Sequence, residues 1–247
     1  VFPDAEGPVF LLLTCEHGGR EVPPRFRHAF RDAGEVLRTH RGFDIGALGV
    51  AQRVAARLAA PLVFSTVTRL LVDLNRSPDA PGLFSEYSRD LTEGEKRAIL
   101  DEHYLPHRSQ VASIVEMAVR AGRPVLHVGV HSCTDVLDGR VRDLDTALLF
   151  DPDRGSESAL CTAWRAGLET QAGHFRHRFN EPYKGTDDGL TTTLRGRFDG
   201  RVYAGIEVEV RQGLIHHAAE QKSMGDLLAA TLAPVLRACH APFISGA

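Results

Sequence analysis

Cysteine is scarce in this chain, with four in 247 residues, and Cys15, Cys133, Cys161 and Cys239 are too widely spaced to form a CxxC pair. That spacing excludes a zinc ribbon and a thioredoxin-like redox site, and leaves buried structural thiols as the expectation. An excess of one charge sign is also missing, since 29 Lys and Arg face 32 Asp and Glu for a formal charge of -3. Without a basic footprint, nucleic acid is not an expected partner. Apolar runs such as residues 9–13 and 205–210 fall far short of the roughly 20 residues needed to cross a bilayer, so no membrane span is expected. The first residues, with Pro3, Asp4 and Glu6, lack the basic start and apolar stretch of a signal peptide, which makes a cytoplasmic location the expectation. What is present is a globular profile, 43% hydrophobic and 25% charged, read as a single domain over residues 1–247. Histidine is abundant, at 12. His28, His103, His107, His174, His177, His216 and His217 stand in polar, helix-like surroundings and are expected mostly on the surface.

Strand-like apolar runs alternate with amphipathic stretches, the pattern of an α/β sheet covered on both faces. Residues 9–15 read as the first strand, ending at Glu16-His17-Gly18-Gly19. Residues 44–59 have helical spacing, closed by Pro61. Residues 62–68 and 70–74 read as β, and 79–88 as a loop. Residues 92–120 form a long helix candidate with a Thr-x-x-Glu capping box at Thr92 and Glu95. Strands follow at 125–130 and 147–150, then a helix at 156–172. A turn-rich loop spans 180–193, a strong strand 203–210, and a last helix 223–239.

Ligands of open α/β sheets collect beyond the carboxyl ends of the strands. His17 follows the first strand, Asn75 and Arg76 follow another, His131 follows the strand after Pro124, and Glu209 with Arg211 ends the last. Two histidines from separate strands plus a carboxylate make the ligand set of a catalytic zinc, which leaves one position for water. Asp44 is the favoured third ligand, although its place just ahead of a helical run also suits an N-cap. Glu16 and Glu21 compete with it, Glu16 ranking lower because adjacent side chains at a strand end diverge. Plainer roles exist for each residue: a strand-end His is often only hydrogen-bonded, and a lone Arg is often salt-bridged.

Glu207 and Glu209 share a face of their strand while Ile206, Val208 and Val210 share the other. Carboxylates on a buried strand require partners or a chemical task, and a Glu beside an activated water serves as general base. Arg76 and Arg211 offer planar forks suited to a substrate carboxylate.

The segments Thr14-Cys15-Glu16-His17-Gly18-Gly19 with Val22-Pro23, Asp44-Ile45-Gly46-Ala47, Arg69-Leu70-Leu71-Val72-Asp73-Leu74-Asn75-Arg76-Ser77-Pro78, His131-Ser132, Asn180-Glu181-Pro182-Tyr183, Asp188-Gly189 and Val208-Glu209-Val210-Arg211 occur in that order. Together they make the chain resemble the N-formylglutamate amidohydrolase family over nearly its whole length, and more distantly the zinc carboxypeptidases and aspartoacylases. The resemblance implies a three-layer α/β/α sandwich with a mixed, mostly parallel sheet, phosphorylase/hydrolase-like. It also implies hydrolysis of an N-acyl amino acid such as N-formyl-L-glutamate to the free amino acid and a carboxylate. One divalent metal ion, zinc by expectation, would be held by His17, Asp44 and His131, and the partner would be a small anionic substrate. Asn75 and Arg76, helped by Arg69 or Arg211, would bind its carboxylate. Glu209 would be the base, preferred to Glu207 because the Glu-Val-Arg triplet matches both groups. The chain departs from the carboxypeptidase pattern at Arg20, which stands where that pattern carries a ligand Glu three residues after the first His. A non-catalytic binder of acidic metabolites and a metallopeptidase or peptidoglycan amidase are the alternative readings.

Overall fold

Side-chain alternation along the strands sets the layers of the molecule, seen in a computed structural model that describes Phe2, residues 8–137 and residues 139–239. Along β1 (Phe10–Cys15), Leu11, Leu13 and Cys15 enter one core cluster and Leu12 another, so both faces are covered. The other strands are β2 (Leu62–Phe64), β3 (Val125–Cys133), a small hairpin of β4 (Val136–Leu137) and β5 (Arg140–Val141), β6 (Thr146–Leu149), β7 (His177–Phe179) and β8 (Tyr203–Arg211). One six-stranded sheet runs in the order β2-β1-β3-β8-β6-β7. Neighbours are parallel except β6 and β8, which are antiparallel. The sheet is therefore mixed and mostly parallel.

The helices are α1 (Ala47–Leu58), α2 (Glu93–Ile99), α3 (Leu105–Arg120), α4 (Gly155–Ala172), α5 (Leu190–Arg195) and α6 (Ala218–Ala238). Helices α1, α4 and α6 pack on the face that presents Leu13, Val128 and Ile206. Trp164 joins two of them, its indole N–H donating to Thr231 Oγ1 at 2.9 Å. Helices α3 and α5 cover the opposite face with Leu12, Val125 and Tyr203, completing three layers. No helix among the described residues is long and apolar enough to cross a membrane.

Several local expectations are corrected. The strand read over 62–68 stops at Phe64, and residues 70–74 form buried turns instead of a strand. Leu70, Leu71, Val72 and Leu74 pack on all sides into a satellite cluster with Phe26, Phe30, Ile99 and Tyr104, so their apolar run carries no strand period. The Leu70 carbonyl accepts from the Ser88 hydroxyl at 3.0 Å in place of a ladder partner. The helix read over 92–120 keeps its capping box but widens at Leu100–Tyr104, where the Leu105 N–H bonds the Leu100 carbonyl five residues back. Pro106, lacking an N–H, follows at once and accounts for the break in the regular ladder. Helix α5 begins inside the loop read over 180–193, and α6 starts at Ala218 on a cap from His217 and Glu220. His107 and His177 are buried, against the expectation of surface positions.

This topology positions the site. Strands β1, β3 and β8 run the same way, so their carboxyl ends share one edge of the sheet. The register sets His131 beside Glu209, on the face opposite Val130 and Val208.

Candidate metal and active site

His17 leaves the end of β1 in a turn that only glycine fits. A Cβ on Gly19 would lie 2.5 Å from the Thr66 carbonyl oxygen. The Asp44 N–H then donates to the His17 carbonyl at 2.9 Å, holding the two residues together. Gly46 follows with φ +83°, where a Cβ would meet the Ile215 carbonyl at 2.3 Å, and α1 starts from it. Asp44 is therefore not the N-cap of α1, and its carboxylate turns to other partners. Its Oδ2 lies 3.0 Å from Nδ1 of His131 and 3.4 Å from Nδ1 of His17, and its Oδ1 accepts from Arg69 at 2.9 Å.

One ligand atom from each of His17, Asp44 and His131 lies within 4.8 Å of the others, and all three residues are buried. Nδ1 of His17 is buried and makes no hydrogen bond, an orphaned lone pair or proton. A tetrahedral ion with bonds of about 2.0–2.1 Å needs ligand atoms a little over 3 Å apart, and the two Nδ1–Oδ2 separations meet that. The residues present fit a divalent cation. Behind His17, Nε2 pairs with Asp73 Oδ1 at 2.7 Å, the carboxylate support usual for a ligating imidazole. Burial pushes the Asp44 carboxyl up, but Arg69, His17 and the bond from His131 outweigh it and hold Asp44 well below the usual carboxylate range.

Glu209 faces the same cavity of about 220 Å³, which His17, His40, Asp44, Asp73, His131 and Glu207 also line. Its carboxyl is pushed up to about 8, first by burial and then by the Asp44 and Glu207 charges, against the pull of His131. Its Oε2 has no hydrogen-bond partner. Glu207 differs, being half-buried with Oε1 accepting from Asn75 Nδ2 and Thr191 Oγ1, each at 3.3 Å. Glu207 thus holds Asn75, while Glu209 is free to handle a proton.

Arg69 and Arg76 both line the cavity. Arg69 is committed to Asp44 and, at 3.6 Å, to Asp73. Arg76 is exposed, donates to the Asp188 carbonyl at 3.1 Å through one terminal nitrogen, and keeps its Nε 4.0 Å from Asp73 Oδ2. Arg211 is placed elsewhere. Its guanidinium bonds Asp145 Oδ1 at 2.8 Å and Asp135 Oδ1 at 2.6 Å, and it does not line the cavity. The competing ligands also separate: Glu21 is exposed and accepts from Thr66 Oγ1 at 2.8 Å, and Glu16 meets His131 only at Nε2. Residues that sequence reasoning missed include His40, whose Nδ1 is 3.5 Å from Asp44 Oδ1, and the exposed Tyr183 and Lys184. His40 sits in no motif, whereas Tyr183 belongs to the Asn180-Glu181-Pro182-Tyr183 segment.

The Arg211 network carries a stability prediction. Burial pushes the Asp145 carboxyl up, but bonds from Arg176 and Arg211 hold it below the usual range. A carboxyl depressed by folding stabilises fully above its unfolded value near pH 4 and loses that contribution as pH falls through the folded value. Asp145→Asn should therefore cost about 2–3 kcal/mol at neutral pH. Urea unfolding of both proteins should show the gap shrinking as pH drops below about 4; a gap independent of pH would contradict the assignment.

The family model described as N-formylglutamate amidohydrolase matches residues 9–216. A crystal structure of a gene product from Agrobacterium tumefaciens is similar at 30% identity and TM-score 0.81, covering 98% of this chain and 95% of that one. The N-formylglutamate amidohydrolase of Ralstonia eutropha JMP134 has the same fold, with TM-score 0.70 at 21% identity, covering 96% and 97%. No curated protein matches this chain. Family match and fold together define an α/β amidohydrolase. The chain belongs to the N-formylglutamate amidohydrolase family.

Proposed function

We propose that the chain hydrolyses the amide bond of an N-acyl amino acid, with N-formyl-L-glutamate as the reference substrate, and that His17, Asp44 and His131 hold a divalent metal, zinc. The observation that carries this reading is the convergence of those three side chains with a buried, partnerless Glu209 oxygen in one cavity. A divalent cation there supplies an electrophile for the acyl carbonyl and acidifies water.

The chain's own groups do the rest. Glu209 takes a proton from the attacking water as the water oxygen bonds to the acyl carbon. It returns that proton to the amide nitrogen as the C–N bond breaks, giving a free amine and a carboxylate. Arg76, beside Asn75, draws the substrate carboxylate to the cavity wall and orients the scissile bond. Asp73 keeps His17 fixed from behind. Formate release from N-formyl-L-glutamate, compared with release of other acyl groups from N-acyl amino acids, tests the reading. Failure to cleave any member of that panel with metal supplied would contradict it.

Protonation adds a second test. In protein stripped by a chelator, Glu209 near 8 is mostly protonated at neutral pH, and His131 is raised well above its ordinary value, burial opposing Asp44 and Glu16. A cation must displace protons held this way, so metal affinity should climb as pH rises from 6 to 9. Calorimetry in buffers of different ionisation enthalpy should register proton release; pH-independent affinity would contradict the ligand set.

A further inference from the structure

A buried carboxylate sits at the other ring nitrogen of His131 and takes no part in the chemistry above. Glu16 is 2% exposed, and its Oε2 lies 3.3 Å from Nε2 of His131. Its Oε1 lies 3.7 Å from Nε2 of His107, a buried residue of α3. Neither Glu16 oxygen nor His107 Nε2 makes an aligned hydrogen bond. A carboxylate left this way in a dry interior is costly unless it serves its neighbours.

Comparison with His17 shows what Glu16 can do. His17 turns Nδ1 toward Asp44 and backs Nε2 on Asp73. His131 likewise turns Nδ1 toward Asp44, and its Nε2 meets Glu16. Nδ1 of His131 bonds Asp44 Oδ2 at 3.0 Å in this structure; a cation taking that place would displace the Nδ1 proton and leave the ring's remaining proton on Nε2, where the Glu16 carboxylate faces it. We propose that Glu16, with His107 facing its other oxygen, is a positioning residue that fixes His131 with its proton on Nε2 and its Nδ1 presented to the metal. The inference rests on reading His17, Asp44 and His131 as metal ligands. It also gives the adjacent pair Glu16-His17 a shared logic: one residue ligates, and its neighbour, on the other side of the chain, supports the second histidine.

Zinc affinity by competition with a chromophoric chelator, together with long-range ¹H–¹⁵N histidine spectra of zinc-loaded protein, tests this. Glu16→Gln should weaken zinc binding about 10- to 100-fold. His107→Phe should weaken it less, and adding His107→Phe to Glu16→Gln should cause no further loss, because His107 acts through Glu16. In the loaded wild-type protein the His131 proton should be found on Nε2. A proton on Nδ1 overturns the proposal whether or not the variants fold, and so does unchanged zinc affinity in Glu16→Gln. Wild-type protein that binds no divalent cation overturns both this role and the ligand assignment. Weakened zinc binding in Glu16→Gln, in a protein whose wild type releases no formate, supports the role while contradicting the hydrolytic reading.

Discussion

Replacing Glu209 by alanine is expected to lower kcat about 10²- to 10⁴-fold, the usual contribution of a positioned acid–base group, while metal content stays at the wild-type level. Glu209 stands on β8 beside His131 on β3, close enough to share its electrostatic environment. It is not one of the three side chains that converge as ligands. Burial and the neighbouring carboxylates lift its carboxyl to about 8, so a nearby cation is what would bring it into the range of a working base. Glu209→Gln keeps the shape and should lose activity equally. Glu207→Gln should behave differently, because Glu207 is already engaged by Asn75 and Thr191 and acts on orientation. Metal analysis and steady-state kinetics on the three variants check this; a Glu209 variant that retains kcat would remove the base from the mechanism.

Replacing Asp44 by alanine should abolish both metal retention and hydrolysis. Asp44 is the hub of the site, with Oδ2 toward both His17 and His131 and Oδ1 on Arg69. Its removal leaves a partly buried guanidinium facing two imidazoles, and breaking a buried pair of this kind costs about 3–5 kcal/mol. In the wild-type protein, zinc at a thousand times its Kd should add about 4 kcal/mol. For a chain of this size that is a rise in Tm of roughly 8–16 °C. The zinc-dependent rise should vanish in Asp44→Ala and in the better-tolerated Asp44→Asn. Differential scanning fluorimetry with and without zinc measures it, and a full shift in both variants would exclude Asp44 as a ligand.

The core strands were legible in the sequence because each carries a short-range signal. In β8 the alternation of Glu207 and Glu209 with Ile206, Val208 and Val210 identified both the strand and its polar face. His17 and His131 stood out because they close apolar runs. The third member of the cluster was harder, since Asp44 reaches His17 and His131 only through the close packing of β1, β3 and the turn at Gly46. Arg211 was misplaced because its partners, Asp135 and Asp145, lie 76 and 66 residues away. The apolar run at 70–74 looked like a strand because hydrophobicity alone does not separate a sheet from a buried knot of turns. In the sequence Glu16 reads as a rival ligand, and only the assembled sheet brings its carboxylate to the far nitrogen of His131.

Metal content, measured by inductively coupled plasma mass spectrometry on gently purified protein and paired with formate release before and after chelation, tests the central claim most directly. The account predicts near-stoichiometric divalent metal, loss of formate release on chelation, and recovery with zinc or cobalt. Protein that takes up no metal under any reconstitution condition would contradict it, leaving His17, Asp44 and His131 as a structural cluster.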